Sequence, residues 1–378
     1  MTSVKKTRYL LTPPYCTSSE TYIVPIPNSP SEVSGGLKLA GGWRFFKNLK
    51  VLQKKKDYLI EVHMSTQELL EVCKNNSKAS LTAAKIQIDN LVNIRSPFAN
   101  LDMSNPHIMG VINMTPDSFY KNSQTNNFHK LKNNFCEMIN NGASIVDIGG
   151  ESSRPGAEKI SVLEEKSRVV GPIKQLEKFK VNCLISLDSR NLSTMKACYK
   201  LGVDIFNDIS AFRESNKIEF IKKTSSPIII MHMQKEPINM QLNPKYNFAP
   251  IDIYKFFSKK ITDLTKAGVK KSNIVIDPGI GFGKTLSDNL NILRYLPLFH
   301  CLGVPILIGV SRKSLISELL TDNYKLRGKN KINIKPSKRL SGSLAFAIHA
   351  NMCGVQILRT HDVFDTNQAL ICQKSIDL

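Results

Sequence analysis

No window of the 378-residue chain approaches the roughly 18 uninterrupted apolar residues that a membrane helix needs, and the opening MTSVKKTRYLLTPPY lacks the apolar core of a secretory signal. The expectation is a soluble, cytoplasmic protein with no membrane partner. Paired cysteines are missing as well: the eight, at 16, 73, 136, 183, 198, 301, 353 and 372, include no CxxC. That scatter argues against a zinc site and a disulfide framework, and fits reduced thiols. Acidic residues are few beside basic ones, 31 against 52, for a formal charge of +21. The excess is not a patch, since residues 1–106 carry 14 Lys and Arg against 8 Asp and Glu, and residues 107–378 carry 38 against 23. In a chain rich in Lys, Asn and Ile, such a spread weighs against nucleic acid or lipid as partner and leaves a polyanionic small substrate open.

The rest of the composition, 42% hydrophobic and 22% charged, is that of a globular protein with a sizeable core. Residues 1–36 are rich in Pro, Ser and Thr and read as a flexible lead-in. LKLAGGWRFFKNLKVLQKKKDYLIEV then sets the single tryptophan, Trp43, beside Phe45 and Phe46 among short extended runs. STQELLEVCKNN and SLTAAKIQIDNL have helical spacing with Ser or Thr at the cap. Residues 1–100 are therefore expected to form a small, partly flexible β-containing extension without chemistry, and residues 101–378 the main domain.

From residue 107 eight short apolar runs alternate with amphipathic stretches: HIMGVIN (107–113), SIVDIG (144–149), NCLISLDS (182–189), VDIFNDIS (203–210), PIIIMHM (227–233), NIVIDPG (273–279), VPILIGVS (304–311) and VQILRTH (355–361). Eight units in 272 residues give 34 residues each. That spacing predicts an α/β fold, a (β/α)8 TIM barrel, ahead of the doubly wound alternative. A barrel assembles its site at the C-terminal strand ends, and here all eight runs close on polar residues: Asn113, Asp147, Asp188, Asn207 with Asp208, His232, Asp277, Ser311 with Arg312 and Lys313, and Arg359 with His361. Any one aspartate there reads equally as the cap of the next helix. The stretch after the second run, GESSRPGA, reads as an enlarged loop over the mouth. DPGIGFGKT is not a phosphate-binding P-loop, because the required first glycine is replaced by Pro278.

Nine collinear motifs carry a family likeness: IMGVINMTPDSF, VDIGGESSRPGA, LDS (187–189), NDIS, MHMQ, DPGIGFGK, GVSRKS, RLSGSLA and RTHDV. Together they closely resemble dihydropteroate synthase over residues 107–378, and the LAGGW-containing segment resembles an extension carried by some bacterial members. The resemblance implies condensation of 6-hydroxymethyl-7,8-dihydropterin diphosphate with 4-aminobenzoate, giving 7,8-dihydropteroate and pyrophosphate. It assigns Asp188, Asn207, Asp277, Phe282 and Lys313 to the pterin; a carboxylate facing its guanidine-like edge accepts two hydrogen bonds, which favours Asp277. It assigns Asn113, Ser153, Arg154, Arg359 and His361 to the diphosphate, with Asn113 as the contact to Mg²⁺. Ser153, Pro155, Lys313 and Ser314 fall to the aminobenzoate. The expected catalytic set is Arg154, Lys313, Arg359 and His361, with Arg359 and His361 counted among the charges that stabilise the leaving group. The likeness also implies a homodimer packed through late helices such as the one after Arg339.

The chain departs from the family pattern after TPDSF, where Tyr120, Lys121, Asn122 and Ser123 replace the usual Ser-Asp-Gly-Gly, and at Ser153, where threonine is usual. The basic insertion 325–339 reads as a solvated loop. Two rivals remain: a pterin-dependent methyltransferase, which has no use for SRPG, SRKS and RTH, and a pterin-binding paralogue without synthase activity.

Overall fold

A computed structural model describes residues 3–6, 21–29, 35–54, 58–76, 78–114, 124–152, 154–179, 182–326 and 333–377. The chain begins with a five-stranded sheet of β1 (Ser3–Lys6), β2 (Thr21–Ser29), β3 (Leu37–Lys38), β4 (Phe45–Lys54) and β5 (Tyr58–Ser65), ordered β1-β5-β4-β2 with β3 against β4. The helices α1 (Thr66–Asn76) and α2 (Lys78–Val92) follow. Ser65 and Glu68 cap α1 reciprocally, each side chain bonding the other's backbone N–H.

Part of the lead-in expected to be flexible is ordered. Residues 21–29 form β2, and Ile23 is fully buried. Pro25 and Pro27 are tolerated because β2 lies at the sheet edge, where the pairing with β4 shifts register at both prolines. The open edge is covered: the Gln87 side chain accepts from Ile23 N–H (3.1 Å) and donates to Thr21 C=O (3.2 Å), and the Cys301 thiol donates to Ile23 C=O.

This sheet is buried on both faces. Ile23, Leu49, Val51 and Val62 pack under α1 and α2, whereas Tyr22, Val24, Leu52 and Leu59 pack on Phe248, Ile251, Tyr295 and Leu298 of the main domain. Polar ties reinforce the junction: Tyr295 Oη donates to Glu61 at 2.7 Å, the Trp43 indole to Asn351 C=O at 3.2 Å, and Arg44 pairs with Asp377 at 2.6 Å. Gly41 has φ +68 and a Cβ there would lie 2.7 Å from the Ile94 backbone, so the tight turn of LAGGW requires glycine. None of the described residues before Val111 lines the cavity discussed below.

The eight apolar runs are the eight parallel strands of one barrel: β6 (His107–Asn113), β7 (Ala143–Gly149), β8 (Leu184–Asp188), β9 (Ile205–Asp208), β10 (Ile228–Met231), β11 (Ile274–Asp277), β12 (Leu307–Gly309) and β13 (Ile357–Thr360). They pair in the order β11-β10-β9-β8-β7-β6-β13-β12, and a parallel bridge from Ile276 to Ile306 brings the two ends together. The helices are α3 (Gln124–Asn140), α4 (Val162–Leu176), α5 (Leu192–Tyr199), α6 (Ser215–Thr224), α7 (Ala249–Lys266), α8 (Leu286–Arg294), α9 (Ser314–Leu326), α10 (Leu340–Met352) and α11 (Val363–Ile376).

Alternation along each strand sets the layers. Met109, Ile145, Ile205, Ile229, Val275, Leu307 and Ile357 fill the barrel interior, with Phe98 and Met103 from the preceding segment packed into the same cluster. Phe98 is fully buried there, and its truncation to Ala would cost about 3–5 kcal/mol. Two residues further along their strands, on the same inward face, come Val111, Asp147, Asn207, Met231, Asp277, Gly309 and Arg359. The interior thus changes from apolar to polar on moving toward the C-terminal ends.

Candidate active site at the barrel mouth

A cavity of about 470 Å³ opens at that end, lined by residues from β6, β12 and β13 and by the loops after β7, β11 and β12. Asn113, Arg154, Pro155, Phe282, Lys313, Ser314, Arg359 and His361, all expected from sequence, are among its lining residues. Asp188, Asn207 and Asp277 lie beneath it, tied to the wall through Arg359 or carried on neighbouring strands. The expectation for Ser153, and the departures at Tyr120–Ser123, lie outside the described residues.

At the floor, Arg359 donates Nε to Asp147 Oδ2 (2.7 Å) and Nη2 to Asp188 Oδ2 (3.1 Å). Asp147 also accepts from Ser186 Oγ (2.6 Å) and Asn207 Nδ2 (3.1 Å) and is fully buried. The Asp188 carboxyl is pushed up to about 7, first by burial and then by repulsion from Asp147, with Arg359 opposing both. Asp277 accepts from Gly279 N–H at 2.8 Å, and burial raises its carboxyl too. Neither aspartate caps the following helix. Asn191 occupies that position before α5, and Thr285 with Asp288 forms a capping box before α8. Asp208, by contrast, faces outward and binds the N–H groups of Ser210 and Phe212 and the buried Lys217, which makes it a structural turn residue.

One wall is apolar. Phe282 clusters with Ile209, Met231, Met233 and Met240, and the Lys313 ammonium lies 4.0 Å from the Phe282 ring centroid. Burial, then the nearby Arg359, lower Lys313 to about 8. Gly279 shapes the loop before Phe282: its φ is +70, and a Cβ would stand 2.2 Å from the His232 carbonyl oxygen.

The lining is also cationic. Arg154, Arg312, Lys313, Arg339 and Arg359 all border the cavity. Arg312 adopts φ +57 and is fixed by its guanidinium on Asp362 (Nε, 3.0 Å), its N–H on Ser343 Oγ (2.9 Å) and its carbonyl under Arg339 Nη1 (2.9 Å). That strained turn aims the next two residues, Lys313 and Ser314, at the cavity. The insertion 325–339 is consequently not only a solvated loop, because Pro336 and Arg339 belong to the wall. His361 bonds Ser311 Oγ through Nδ1 at 3.1 Å. Burial first, then Arg359, Arg312 and Lys313, lower it to about 3, so in the ligand-free protein the imidazole is neutral.

The loop after β7 is braced. Arg190 holds Glu151 bidentately (3.0 and 2.9 Å) and also pairs with Glu236, while Gly156 N–H donates to Pro237 C=O. Glu151 thus anchors the loop, and Ser152, Arg154 and Pro155 are presented to the cavity. Sequence reasoning placed Asp147 among the polar strand ends without giving it a role, and passed over Lys284, Pro336 and Arg339 as site residues. Lys284, lowered to about 7 by burial, donates to the His232 and Phe282 carbonyls and so fixes the loop of the apolar wall. Among the described residues no three His, Cys, Asp or Glu side chains gather to hold a metal. The one amide of Asn113 at the wall fits an ion that keeps most of its ligands as water and phosphate oxygen, as Mg²⁺ does.

A (β/α)8 barrel that sets carboxylates and an amide beneath a cationic rim defines an enzyme for a flat hydrogen-bonding heterocycle with an anionic tail. The model of the pterin binding enzymes matches residues 109–361. The dihydropteroate synthase of Escherichia coli K12 is 40% identical over 272 residues, covering 72% of this chain and 92% of the relative; that of Haemophilus influenzae is 40% identical over 271 residues, covering 71% and 94%. Among solved structures, a sulfonamide drug complex of Yersinia pestis dihydropteroate synthase superposes with a TM-score of 0.66 at 37% identity, covering 73% of this chain and 96% of that one. Xanthomonas albilineans dihydropteroate synthase with 4-aminobenzoic acid gives 0.64 at 33%, covering 73% and 94%. The chain belongs to the dihydropteroate synthase family of pterin-binding enzymes.

Proposed function

We propose that the protein condenses 6-hydroxymethyl-7,8-dihydropterin diphosphate with 4-aminobenzoate to release 7,8-dihydropteroate and pyrophosphate. The observation that carries this reading is a cavity lined by Asn113, Arg154, Lys313, Arg359 and His361, in which Arg359 is hydrogen-bonded to Asp188 and, through the shared Asp147 carboxylate, linked to Asn207. Asp277 and Asp188 accept from the pterin edge, Asn207 completes the hydrogen-bond pattern, and Phe282 with its methionine neighbours covers the ring face. Lys313 spans pterin and aminobenzoate, and Ser314 and Pro155 hold the aminobenzoate.

Ser152, Arg154, Arg359 and His361 receive the diphosphate through guanidinium charge and hydrogen bonds. Asn113 would hold a diphosphate-bound Mg²⁺, which supplies neutralisation of the departing charge. The C–O bond of the pterin methylene breaks with its electron pair leaving on diphosphate. The aniline lone pair forms the C–N bond, and the amine proton passes to solvent. The aromatic amine is already neutral, so the residues contribute position and charge stabilisation, and the braced loop excludes water from the electrophilic carbon.

Turnover of both substrates with Mg²⁺ tests the reading. Dihydropteroate and pyrophosphate in equal amounts support it; pterin diphosphate binding without product would favour the inactive paralogue. A homodimer is proposed across α10 and α11, where Met352, Phe364, Ile371 and Ile376 are exposed apolar side chains, and sedimentation measures it directly. A cytoplasmic location agrees with the described cysteines forming no disulfide and with the absence, among the described residues, of a helix long and apolar enough to cross a membrane.

A further inference from the structure

We infer that Asp147 is a positioning residue that fixes the hydrogen-bonding polarity of the heterocycle pocket by acting through Asn207 and Arg359. The inference rests on the pterin reading above and deepens it. Asp147 lies on the inward face of β7, fully buried, and is enclosed by three donors. Ser186 Oγ on β8 reaches Oδ1 at 2.6 Å, while Asn207 Nδ2 on β9 (3.1 Å) and Arg359 Nε on β13 (2.7 Å) share Oδ2. A carboxylate only accepts, so the group that Asn207 turns toward it is the NH₂. The amide oxygen of Asn207 is then left to face a ligand, and the pocket offers an acceptor at that place. The same carboxylate holds the Nε side of the Arg359 guanidinium and so fixes Nη2 where it also reaches Asp188, at 3.1 Å. No other described residue ties the amide of β9 to the guanidinium of β13.

An amide at position 147 removes this rule. It can donate to Asn207, which is then free to turn either side toward the ligand. Asp147→Asn is expected to raise KM for the pterin diphosphate by about 10- to 100-fold, the effect of a reversed and desolvated buried hydrogen bond, while KM for 4-aminobenzoate stays within about 3-fold. The exchanged pair Asp147→Asn with Asn207→Asp restores an acceptor facing the ligand and a donor behind it, and is expected to recover about 10-fold of the lost pterin KM. Ser186→Ala, which removes one donor and keeps the charge, is expected to raise pterin KM by about 3- to 10-fold. It carries the test if Asp147→Asn does not fold.

A merely structural Asp147 would alter both KM values together and leave the exchanged pair worse than the single variant, and either of those results overturns the inference, whereas a lowered Tm is expected of any change to this buried ion pair. Wild-type protein that makes no dihydropteroate sinks the underlying reading instead, whereas active wild type with an unchanged pterin KM in Asp147→Asn and Ser186→Ala sinks only the role of Asp147.

Discussion

Arg359 on β13 reaches across β6 to place its Nε 2.7 Å from Asp147 on β7, and its Nη2 continues to Asp188 on β8 at 3.1 Å. One guanidinium thereby serves the fully buried Asp147 carboxylate and the partly exposed Asp188 on the neighbouring strand. The fork geometry is what makes this sharing feasible, since a lysine ammonium at the same place would be a point charge with one dominant partner. Arg359→Lys is expected to lower kcat/KM for the pterin diphosphate by about 100-fold or more, measured in steady state, and to leave the aminobenzoate KM nearly unchanged.

The pH dependence follows from Asp188. Its carboxyl is raised to about 7, so the ligand-free pocket gains the acceptor form as pH rises through neutrality. Binding of 6-hydroxymethylpterin, which lacks the diphosphate and its own ionisations, is expected to tighten by up to about 10-fold per pH unit below 7 and to level above it. Calorimetry between pH 5.5 and 8 measures this, and a flat profile contradicts it.

Lys313 is expected to serve the aminobenzoate carboxylate as well as the pterin. Lys313→Ala should weaken a sulfonamide and raise the aminobenzoate KM by a similar factor, about 10-fold, because the carboxylate of one and the sulfonyl oxygens of the other would lean on the same ammonium above Phe282. Competitive inhibition assays on wild type and variant give the two factors.

Stability responds to pH at the junction between the N-terminal sheet and the barrel. His300 is fully buried, donates Nε2–H to Cys353 C=O at 3.0 Å and leaves Nδ1 without a partner. Burial, then Arg95, lower it to about 3. An unfolded chain protonates this imidazole near 6.5, so between about 6.5 and 3 the unfolded state binds the extra proton. The contribution is complete above 6.5 and is lost as pH falls, by up to about 1.4 kcal/mol per unit. Thermal unfolding between pH 7 and 5 should show a smaller decline in Tm for His300→Leu than for wild type, whatever the difference between them at pH 7.

Much of this architecture was legible in the sequence, for a physical reason. Strands buried on both faces are continuous apolar runs, and a barrel puts its polar residues where those runs stop. The two-residue period even separates Asn207, inward with Ile205, from Asp208, outward with Phe206. Less was readable where the decisive partner is distant. Asp147 resembles any aspartate after a strand until Arg359, 212 positions later, is brought to it. Lys284 drew no role from its motif, and Arg339 read as part of a solvated insertion, because their acceptors are carbonyls supplied by the folded backbone. The same holds for β2, whose prolines disguise an edge strand that α2 and Cys301 complete.

The central claim is that one cavity divides its work, carboxylates below for the heterocycle and cations above for the tail. The most direct measurement is a paired titration of wild type and Asp277→Asn with 6-hydroxymethylpterin and, separately, with pyrophosphate plus Mg²⁺. The account predicts that the variant loses about 10-fold or more in pterin affinity and keeps pyrophosphate affinity within about 3-fold. Equal loss of both ligands, or pterin binding that ignores Asp277, would contradict it.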